Sequence, residues 1–190
     1  VQAEHATEIL MAAIDYARIY RDHATDYDAL VAAEDCDGQL GAAIRPMLAQ
    51  GGTLVDVGTG TGRISRLFSA RAGRIIGVES APAMLEVAQG HRDREAHPDW
   101  QLVAGDARKL PLAHGIADLV VAGWVFGHFR TWMPDTWPAE VDLAIGEMRR
   151  VAKPGAKIVV VETLGTNHET PRTHPLLEQY FAHLEGRHGL

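Results

Sequence analysis

Three glycines at alternate positions, with an acidic residue before them, make the motif with the clearest chemical meaning in this sequence. Asp56 lies two residues before Gly58, and Gly60 and Gly62 follow. The flanking residues predict a short buried strand before the motif and a helix after it. Glycine at such a turn permits a positive φ and lets a ligand approach the backbone, while the helix N-terminus offers free N–H groups. The motif therefore predicts a nucleotide-type pocket at the carboxyl end of a first parallel strand.

The spacing of these glycines also separates two kinds of ligand. In the dinucleotide-binding fingerprint G-x-G-x-x-G, the third glycine lies where this chain has Arg63. A carboxylate at Asp56 would face a positive charge on a ligand rather than a pyrophosphate. Both residues count against an NAD-dependent oxidoreductase, which stays an alternative, as does a glycine-rich turn that binds nothing.

Two more acidic residues come directly after predicted strands. Glu79 lies 17 residues after Gly62, near the distance at which a carboxylate binds ribose hydroxyls in nucleotide-binding folds. Ser80 follows it and is typical of a helix N-cap. Asp106 follows the third predicted strand in a Gly-Asp loop. Either carboxylate could instead be a solvated or turn residue, so it is their order along the chain that favours binding.

Predicted strands and helices alternate along the chain, which is typical of an α/β fold with a parallel sheet and right-handed crossovers. The apolar patterns predict strands at residues 53–55, 74–78, 100–103, 116–122 and 156–162. They predict helices at residues 3–21, 27–33, 37–49, 63–72 and 175–187, and two more that begin near Ser80 and Trp137. The sequence Lys-Pro-Gly at 153–155 predicts a turn before the fifth strand.

Four landmarks occur in a characteristic order: Asp56 with its glycines, Glu79, the pair Asp106-Ala107 and the Lys-Pro-Gly turn. This order resembles that of the class I S-adenosylmethionine (SAM)-dependent methyltransferases, particularly the small-molecule branch called methyltransferase type 11. The resemblance covers about residues 53–162. It implies SAM as the cofactor and a Rossmann-like, doubly wound, mainly parallel sheet of strand order 3-2-1-4-5. Sheets of that family normally have two further strands, so we expect the chain to be C-terminally incomplete; a genuinely short variant of the fold is the alternative.

The resemblance also implies a role for each landmark. Asp56 would hold the amino group of SAM, directly or through water, and loop N–H groups of residues 58–62 would hold its carboxylate end. Glu79 would bind both ribose hydroxyls. Asp106 would accept from the exocyclic amine of adenine, on which Met84 would pack unless it is an ordinary core residue. The predicted cofactor-binding residues are Asp56, Gly58, Thr59, Gly60, Gly62, Glu79, Ser80, Met84, Asp106, Ala107 and Trp124.

The residues after the fourth predicted strand should face the acceptor, because open α/β sheets bind ligands at that edge. His128 is the candidate general base, since its pKa range suits proton transfer; a structural role is the alternative. Trp124 and Phe126 would shape an apolar acceptor site or pack in the core. Tyr20 and Tyr27, in the N-terminal helices, could reach the same pocket. The sequence here lacks [D/N]-P-P-[Y/F], which disfavours methylation of DNA adenine or of glutamine.

We expect one domain over residues 1–190, because this length is typical of a single domain. Residues 1–50 would form a helical lid or cap over the pocket, or would only pack against a sheet edge. Residues 51–162 would form the Rossmann-like core, and residues 163–190 a loop and a helix. A SAM-binding module without catalysis stays an alternative to an enzyme, because the catalytic base is not certain from the sequence.

Composition limits the partners that we expect. The formal net charge of −7 argues against a dedicated nucleic-acid binder, and no apolar run approaches the ~20 residues of a membrane span. Cys36 is the only cysteine, which excludes an internal disulfide and favours a cytoplasmic protein. The ten histidines show no metal-binding motif, so we predict no metal site. We therefore expect a small-molecule acceptor and neither a nucleic-acid nor a membrane partner.

Overall fold

A parallel sheet forms the centre of the molecule in the computed structural model, which describes residues 16–35, 37–162 and 175–190. Within these residues the sheet has five strands in the order β3-β2-β1-β4-β5, and each neighbouring pair is parallel. The strands are β1 (Thr53–Val57), β2 (Arg74–Glu79), β3 (Trp100–Ala104), β4 (Ala117–Gly123) and β5 (Ala152–Val161). This order confirms the predicted doubly wound α/β fold.

Helices precede, connect and follow the strands. The N-terminal helices are α1 (Tyr16–Asp22), α2 (Ala24–Ala32) and α3 (Gln39–Ile44), and a 3₁₀ turn (Arg45–Met47) continues the last of them. The connecting helices are α4 (Arg63–Leu67), α5 (Pro82–Glu95), α6 (Gly127–Trp132) and α7 (Trp137–Val151). After β5, α8 (Pro175–His183) ends in a π-helical turn (Leu184–His188). No helix in the described part of the chain is long and apolar enough to cross a membrane.

Both faces of the sheet are covered, because successive side chains of a strand point in opposite directions. In β4, Val120 and Ala122 belong to the core that contains the inner face of α7. Leu119 and Val121 of the same strand belong to the opposite core, which contains Ile64 of α4. The apolar run in β4 thus has the burial on two faces that a central parallel strand requires. The carboxyl edge of the sheet is left for the loops that carry the site.

The N-terminal half of β5 differs from the prediction. The Lys-Pro-Gly run lies within this strand rather than in a turn before it. The register between β4 and β5 shifts between Ala117 and Leu119, and Gly155 has a φ of +79° in the irregular part. A bulge of this kind takes up extra residues, including a proline and a left-handed glycine, without ending the strand.

Other boundaries differ less. The helix after the glycine loop ends at Leu67, and residues 68–71 continue it only as turns. The predicted helix at 3–21 lies outside the described residues up to position 15, and so do Cys36 and the predicted loop at 163–173.

Candidate functional site

A cavity of about 830 Å³ opens at the carboxyl edge of the sheet, where β1 to β4 end. This volume includes space that is open to solvent at the mouth of the cavity. Nine of the predicted site residues line it: Gly58, Gly60, Glu79, Ser80, Met84, Asp106, Ala107, Trp124 and His128. Asp56, Thr59 and Gly62 do not line it.

The glycine loop after β1 has the conformation that its sequence predicts. Gly58 has a φ of +65° and Gly60 a φ of +56°, which other residues rarely adopt. A Cβ atom on Gly58 would also lie 2.5 Å from Cγ2 of Val125, so there is no room for a side chain. The loop therefore presents its bare backbone to the cavity.

Asp56 does not line the cavity, so its predicted contact with the amino group of SAM, directly or through water, stays a prediction. Its side chain is fully buried, and Oδ2 accepts hydrogen bonds from the Ser65 backbone N–H (3.0 Å), the Ser65 hydroxyl (2.7 Å) and the Thr59 hydroxyl (2.7 Å). Along β1 it alternates with Val55 and Val57, so it points to the face that α4 covers. Asp56 thus joins the glycine loop to the start of α4, and burial raises its pKa to about 6.

The positions of Thr59 and Gly62 follow from the same packing. The Thr59 hydroxyl is also 3.1 Å from the Ser65 hydroxyl, so its side chain is held on the buried side of the loop. Gly62 has a φ of +89° and precedes the first residue of α4; a Cβ atom there would lie 3.2 Å from the Trp100 ring. Both residues therefore pack on the buried side of the loop, and neither lines the cavity.

Glu79 lies in the cavity at the end of β2 and organises the surrounding backbone. Its Oε2 accepts from the Gly60 N–H (3.0 Å), and Oε1 accepts from the N–H groups of Ser80 (2.7 Å) and Ala81 (2.8 Å). The Ser80 hydroxyl is 3.2 Å from Oε1. Each carboxylate oxygen has about two acceptor sites, so Oε2, which accepts from Gly60, can also accept from a ligand hydroxyl. The hydrogen bond to Gly60 also joins the glycine loop to the neighbouring strand.

Asp106 is paired with an arginine that the sequence analysis did not identify. Arg108 donates to both carboxylate oxygens, at 2.9 Å from Nε and 2.5 Å from Nη2, and also donates to Glu140 at 2.9 Å. The hydrogen bonds from Arg108 hold the pKa of Asp106 below its usual value. Arg108 lines the cavity as well. An acidic and a basic residue two positions apart are too common in loops to have indicated this pair.

The opposite end of the cavity is aromatic. The Tyr20 hydroxyl is 2.7 Å from Nε2 of His128, and the His128 ring stacks on Trp132 with centroids 5.0 Å apart and an interplanar angle of 15°. Tyr27 lies against Tyr20 with ring centroids 5.2 Å apart. Both tyrosines line the cavity, as the sequence analysis considered. Trp132 is four residues after His128 on α6, so the spacing of helix neighbours could have indicated this stack.

Burial has a marked effect on the titration of this aromatic cluster. It lowers the pKa of His128 to about 4, and it raises the pKa of the Tyr20 hydroxyl well above its usual value. The imidazole is therefore neutral near pH 7 and can accept a proton, although its low pKa makes it a weak base. Tyr20 stays protonated and can donate a hydrogen bond.

Trp124 lines the cavity directly after β4 and has a strained backbone conformation. Its φ is +56°, which is unusual for a residue with a side chain. The Arg63 guanidinium lies 4.2 Å from the centroid of its ring, and Arg63 also donates to Glu34 at 2.7 Å. Phe126, by contrast, is fully buried against Phe129 and does not line the cavity. Of these two predicted acceptor-site residues, only Trp124 is in a position to contact a ligand.

Comparisons with known proteins agree with this fold. Residues 55–160 match the methyltransferase domain family, so the chain belongs to that family. The biotin biosynthesis bifunctional protein BioHC of Cellvibrio japonicus is 29% identical over 164 residues, which are 83% of this chain and 29% of the relative. A demethylmenaquinone methyltransferase of Thermus thermophilus is 32% identical over 112 residues, 57% of this chain and 46% of the relative. The chain thus spans less than half the length of either relative.

A solved structure shares the fold. A SAM-dependent methyltransferase from Aquifex aeolicus has a TM-score of 0.58 and 19% sequence identity, over 83% of this chain and 86% of that chain. Together with the family match, this confirms the resemblance to class I SAM-dependent methyltransferases and SAM as the cofactor of the class.

Proposed function

We propose that this chain binds SAM along the glycine loop and transfers its methyl group to a small-molecule acceptor bound at the aromatic end of the cavity. The observation that carries the proposal is that one cavity joins both ends: Gly60, Glu79 and Asp106 on one side, Tyr20 and His128 on the other. A methyl donor and its acceptor must lie in one enclosed space, because the transfer is an in-line displacement.

Several features at the polar end fit SAM. Glu79 and Asp106 give the cavity two carboxylates, which we propose accept from the ribose hydroxyls and the adenine amine, and Gly58 and Gly60 leave the backbone open to a close ligand. Met84 is almost fully buried and still lines the cavity, which suits a contact with an apolar ring face. We propose these five residues as cofactor contacts, whereas Asp56 would act only through the loop conformation.

The aromatic end suits the chemistry of methyl transfer. When bound, SAM supplies an electrophilic methyl group on a positively charged sulfur. Charge is lost as the methyl group moves, so side chains that exclude water favour the reaction. Tyr20, Tyr27, Trp124 and Trp132 would exclude it, and we propose that His128 orients the acceptor or accepts its proton through Nε2, the atom that Tyr20 now contacts.

The lining of this end also favours one class of acceptor. Tyr20, Tyr27, Phe129 and Trp132 offer ring faces, while the nearby cation of Arg108 is already paired with Asp106 and Glu140. We propose a flat, largely apolar acceptor rather than a strongly charged one. The two relatives named above belong to quinone and biotin biosynthesis, so their names do not select a substrate for this chain.

Calorimetric titration with SAM, S-adenosylhomocysteine and NAD in parallel tests the cofactor. We expect micromolar binding of the first two compounds and none of NAD. Binding of NAD alone would overturn the proposal. A panel of phenols, quinols, amines and aliphatic acids with radiolabelled SAM then tests the acceptor. Transfer to ring compounds supports the proposal, while SAM binding without transfer to any member favours a binding module.

A further inference from the structure

A second cluster of chemically active side chains lies between α7 and the end of α8. Nε2 of His183 is 2.8 Å from Oδ1 of Asp142, and Nε2 of His188 is 2.7 Å from the same oxygen. The three potential ligand atoms lie within 4.8 Å of one another. None of these residues lines the cavity described above. One carboxylate oxygen therefore has two imidazole nitrogens directed at it.

The π-helical turn at the end of α8 produces this arrangement. In an α-helix, side chains three or four residues apart lie side by side, and those five apart do not. Residues 184–188 form a π-helical turn, whose i→i+5 hydrogen bonding aligns residues five apart. His183 and His188 have this spacing, so the turn brings both rings to one side of the helix. Such turns are rare and frequently occur at functional sites.

We propose that Asp142, His183 and His188 bind a divalent transition-metal ion of the Zn²⁺ class. Two imidazole nitrogens and a carboxylate oxygen are a donor set that Zn²⁺ and its neighbours prefer, whereas Mg²⁺ and Ca²⁺ prefer oxygen ligands alone. Metal–ligand distances of about 2.0–2.2 Å require both nitrogens to move away from Oδ1, because the ion must fit between atoms that are now in hydrogen-bond contact. Side-chain exposures of 5% for His188 and 20% for His183 leave the ligands mostly enclosed by protein. Asp142 is 32% exposed, so an ion and a coordinating water could enter there.

Two nearby arginines should lower the affinity of this site for a metal ion, but they do not block its ligand atoms. Nη1 of Arg149 is 3.2 Å from Nδ1 of His188, and its Nη2 donates to the His188 carbonyl at 2.8 Å. Metal binding through Nε2 places a proton on Nδ1, so Nη1 would have to turn away while the bond to the carbonyl can remain. Arg187 lies 3.5 Å from Oδ2 of Asp142 and is itself 69% exposed, which makes this contact weak. Arg149 should therefore limit the affinity for the metal.

A bound ion would join α8 to α7, and α8 also contacts a residue that holds the start of α6, the helix that carries His128. Tyr180 of α8 is fully buried and its hydroxyl lies 3.3 Å from Oε1 of Glu162. The same Oε1 accepts from the N–H of Gly127, where α6 begins. The ion would thus stabilise the position of α8, whose Tyr180 contacts Glu162, because a ligand that binds only the folded state raises stability.

The sequence did not indicate this site, because the histidines are spaced for a π-helical turn and Asp142 is 41 residues before His183.

The proposal is independent of methyl transfer. Its test is titration of the metal-free chain with ZnCl₂, followed by calorimetry and by the shift in Tm. We expect micromolar or tighter binding of about one ion and a rise in Tm of about 5 °C at saturation, with MgCl₂ producing neither. Co²⁺ bound at this site should show the strong visible absorption of a four- or five-coordinate ion, rather than the weak absorption of the hexa-aqua ion.

Variants make the test specific. His183→Ala, His188→Ala and Asp142→Asn should each weaken Zn²⁺ binding at least tenfold, whereas His114→Ala, at an exposed histidine before β4, should not change it. Arg149→Gln should tighten binding severalfold, which loss of a merely structural contact would not do. Absence of Zn²⁺ binding, or binding that survives both histidine substitutions, would overturn the proposal. If a variant fails to fold, the Co²⁺ spectrum of the unaltered chain decides, because a hexa-aqua-like spectrum excludes the site.

Discussion

The two ends of the cavity are built in different ways. At the polar end, Glu79 receives hydrogen bonds from Gly60 and from its own neighbours, Ser80 and Ala81, across two adjacent strand ends. At the aromatic end, Tyr20 reaches His128, which is 108 residues away in the chain. The first end depends on the sheet edge and a few local motifs, while the second depends on how the N-terminal helices pack. Substitutions should therefore affect the loop and the cofactor at one end, and orientation of the acceptor at the other.

Asp56→Ala should have the largest effect, because it removes the buried hydrogen-bond acceptor beneath the glycine loop. Three donors from Thr59 and Ser65 would lose their buried acceptor, at a cost of about 3–4 kcal/mol in the free energy of unfolding. Urea denaturation measures this loss. Asp93→Ala, which removes an exposed carboxylate, should cost less than about 0.5 kcal/mol. A loss below about 1 kcal/mol in Asp56→Ala would show that the buried carboxyl group does not hold the loop.

Glu162→Gln tests how Glu162, which contacts the start of α6 and Tyr180, contributes to the pH dependence of stability. Burial raises the pKa of Glu162 to about 7 from an ordinary value of 4.5, so the folded chain retains this proton over a pH range in which the unfolded chain has lost it. The contribution of Glu162 to stability is therefore complete below pH 4.5 and is lost as the pH rises to about 7. Glutamine does not titrate and keeps the acceptor for Gly127 and Tyr180.

We expect the unaltered chain and Glu162→Gln to have similar stability near pH 4.5, and the variant to be more stable by about 2–3 kcal/mol at pH 8. Thermal unfolding of both proteins across this range gives the difference. A difference that does not change with pH would mean that Glu162 titrates normally.

Glu79→Gln should weaken SAM binding by about 1–3 kcal/mol, or roughly 5- to 150-fold, because an amide is a poorer acceptor for ribose hydroxyls than a carboxylate. Calorimetry on the folded variant measures the change. Glu86→Gln, at an exposed position on α5, is the matched control and should bind SAM as the unaltered chain does. Equal affinities in the two variants would remove Glu79 from the proposed cofactor contacts.

Tyr20→Phe should have the smallest effect and should separate the two ends. It keeps the ring but removes the hydroxyl that contacts His128, so turnover of an acceptor found in the screen should fall about fivefold, or about 1 kcal/mol. The Kd for SAM should stay within about twofold. Tyr16→Phe is the control, since the contact of Tyr16 with His128 is through its ring, with centroids 4.9 Å apart. A change in SAM affinity as large as the change in turnover would argue against separate roles.

The proposed zinc site depends both on a local sequence motif and on the packing of separate helices, so it combines the features of the two ends of the cavity. His183 and His188 are close in sequence, and their shared orientation comes from one local turn. Asp142 comes from α7 and is brought to them only by packing. Arg149→Gln should raise the affinity for Zn²⁺, and this gain would distinguish a metal site from a hydrogen-bonded contact between helices.

Several features were predictable because they depend on residues that are close in sequence. Alternating strands and helices, and the order of Asp56, Glu79 and Asp106, indicated the family and the strand order. The positive φ values of Gly58 and Gly60 follow from a sharp strand-to-helix turn. For the same reason, most predicted cofactor residues line the cavity: parallel strands end at one edge, so their following loops must meet there.

Only the tertiary structure decided where individual side chains point and which distant groups pair. Asp56 alternates with apolar neighbours, and packing of α4 determines that its face of the strand is buried. Arg108 could have remained in solvent, but Asp106 and Glu140 together hold its guanidinium. The pairing of Tyr20 with His128 requires α1 to pack near α6. Such contacts depend on the free energy of packing whole elements, which local residue patterns do not contain.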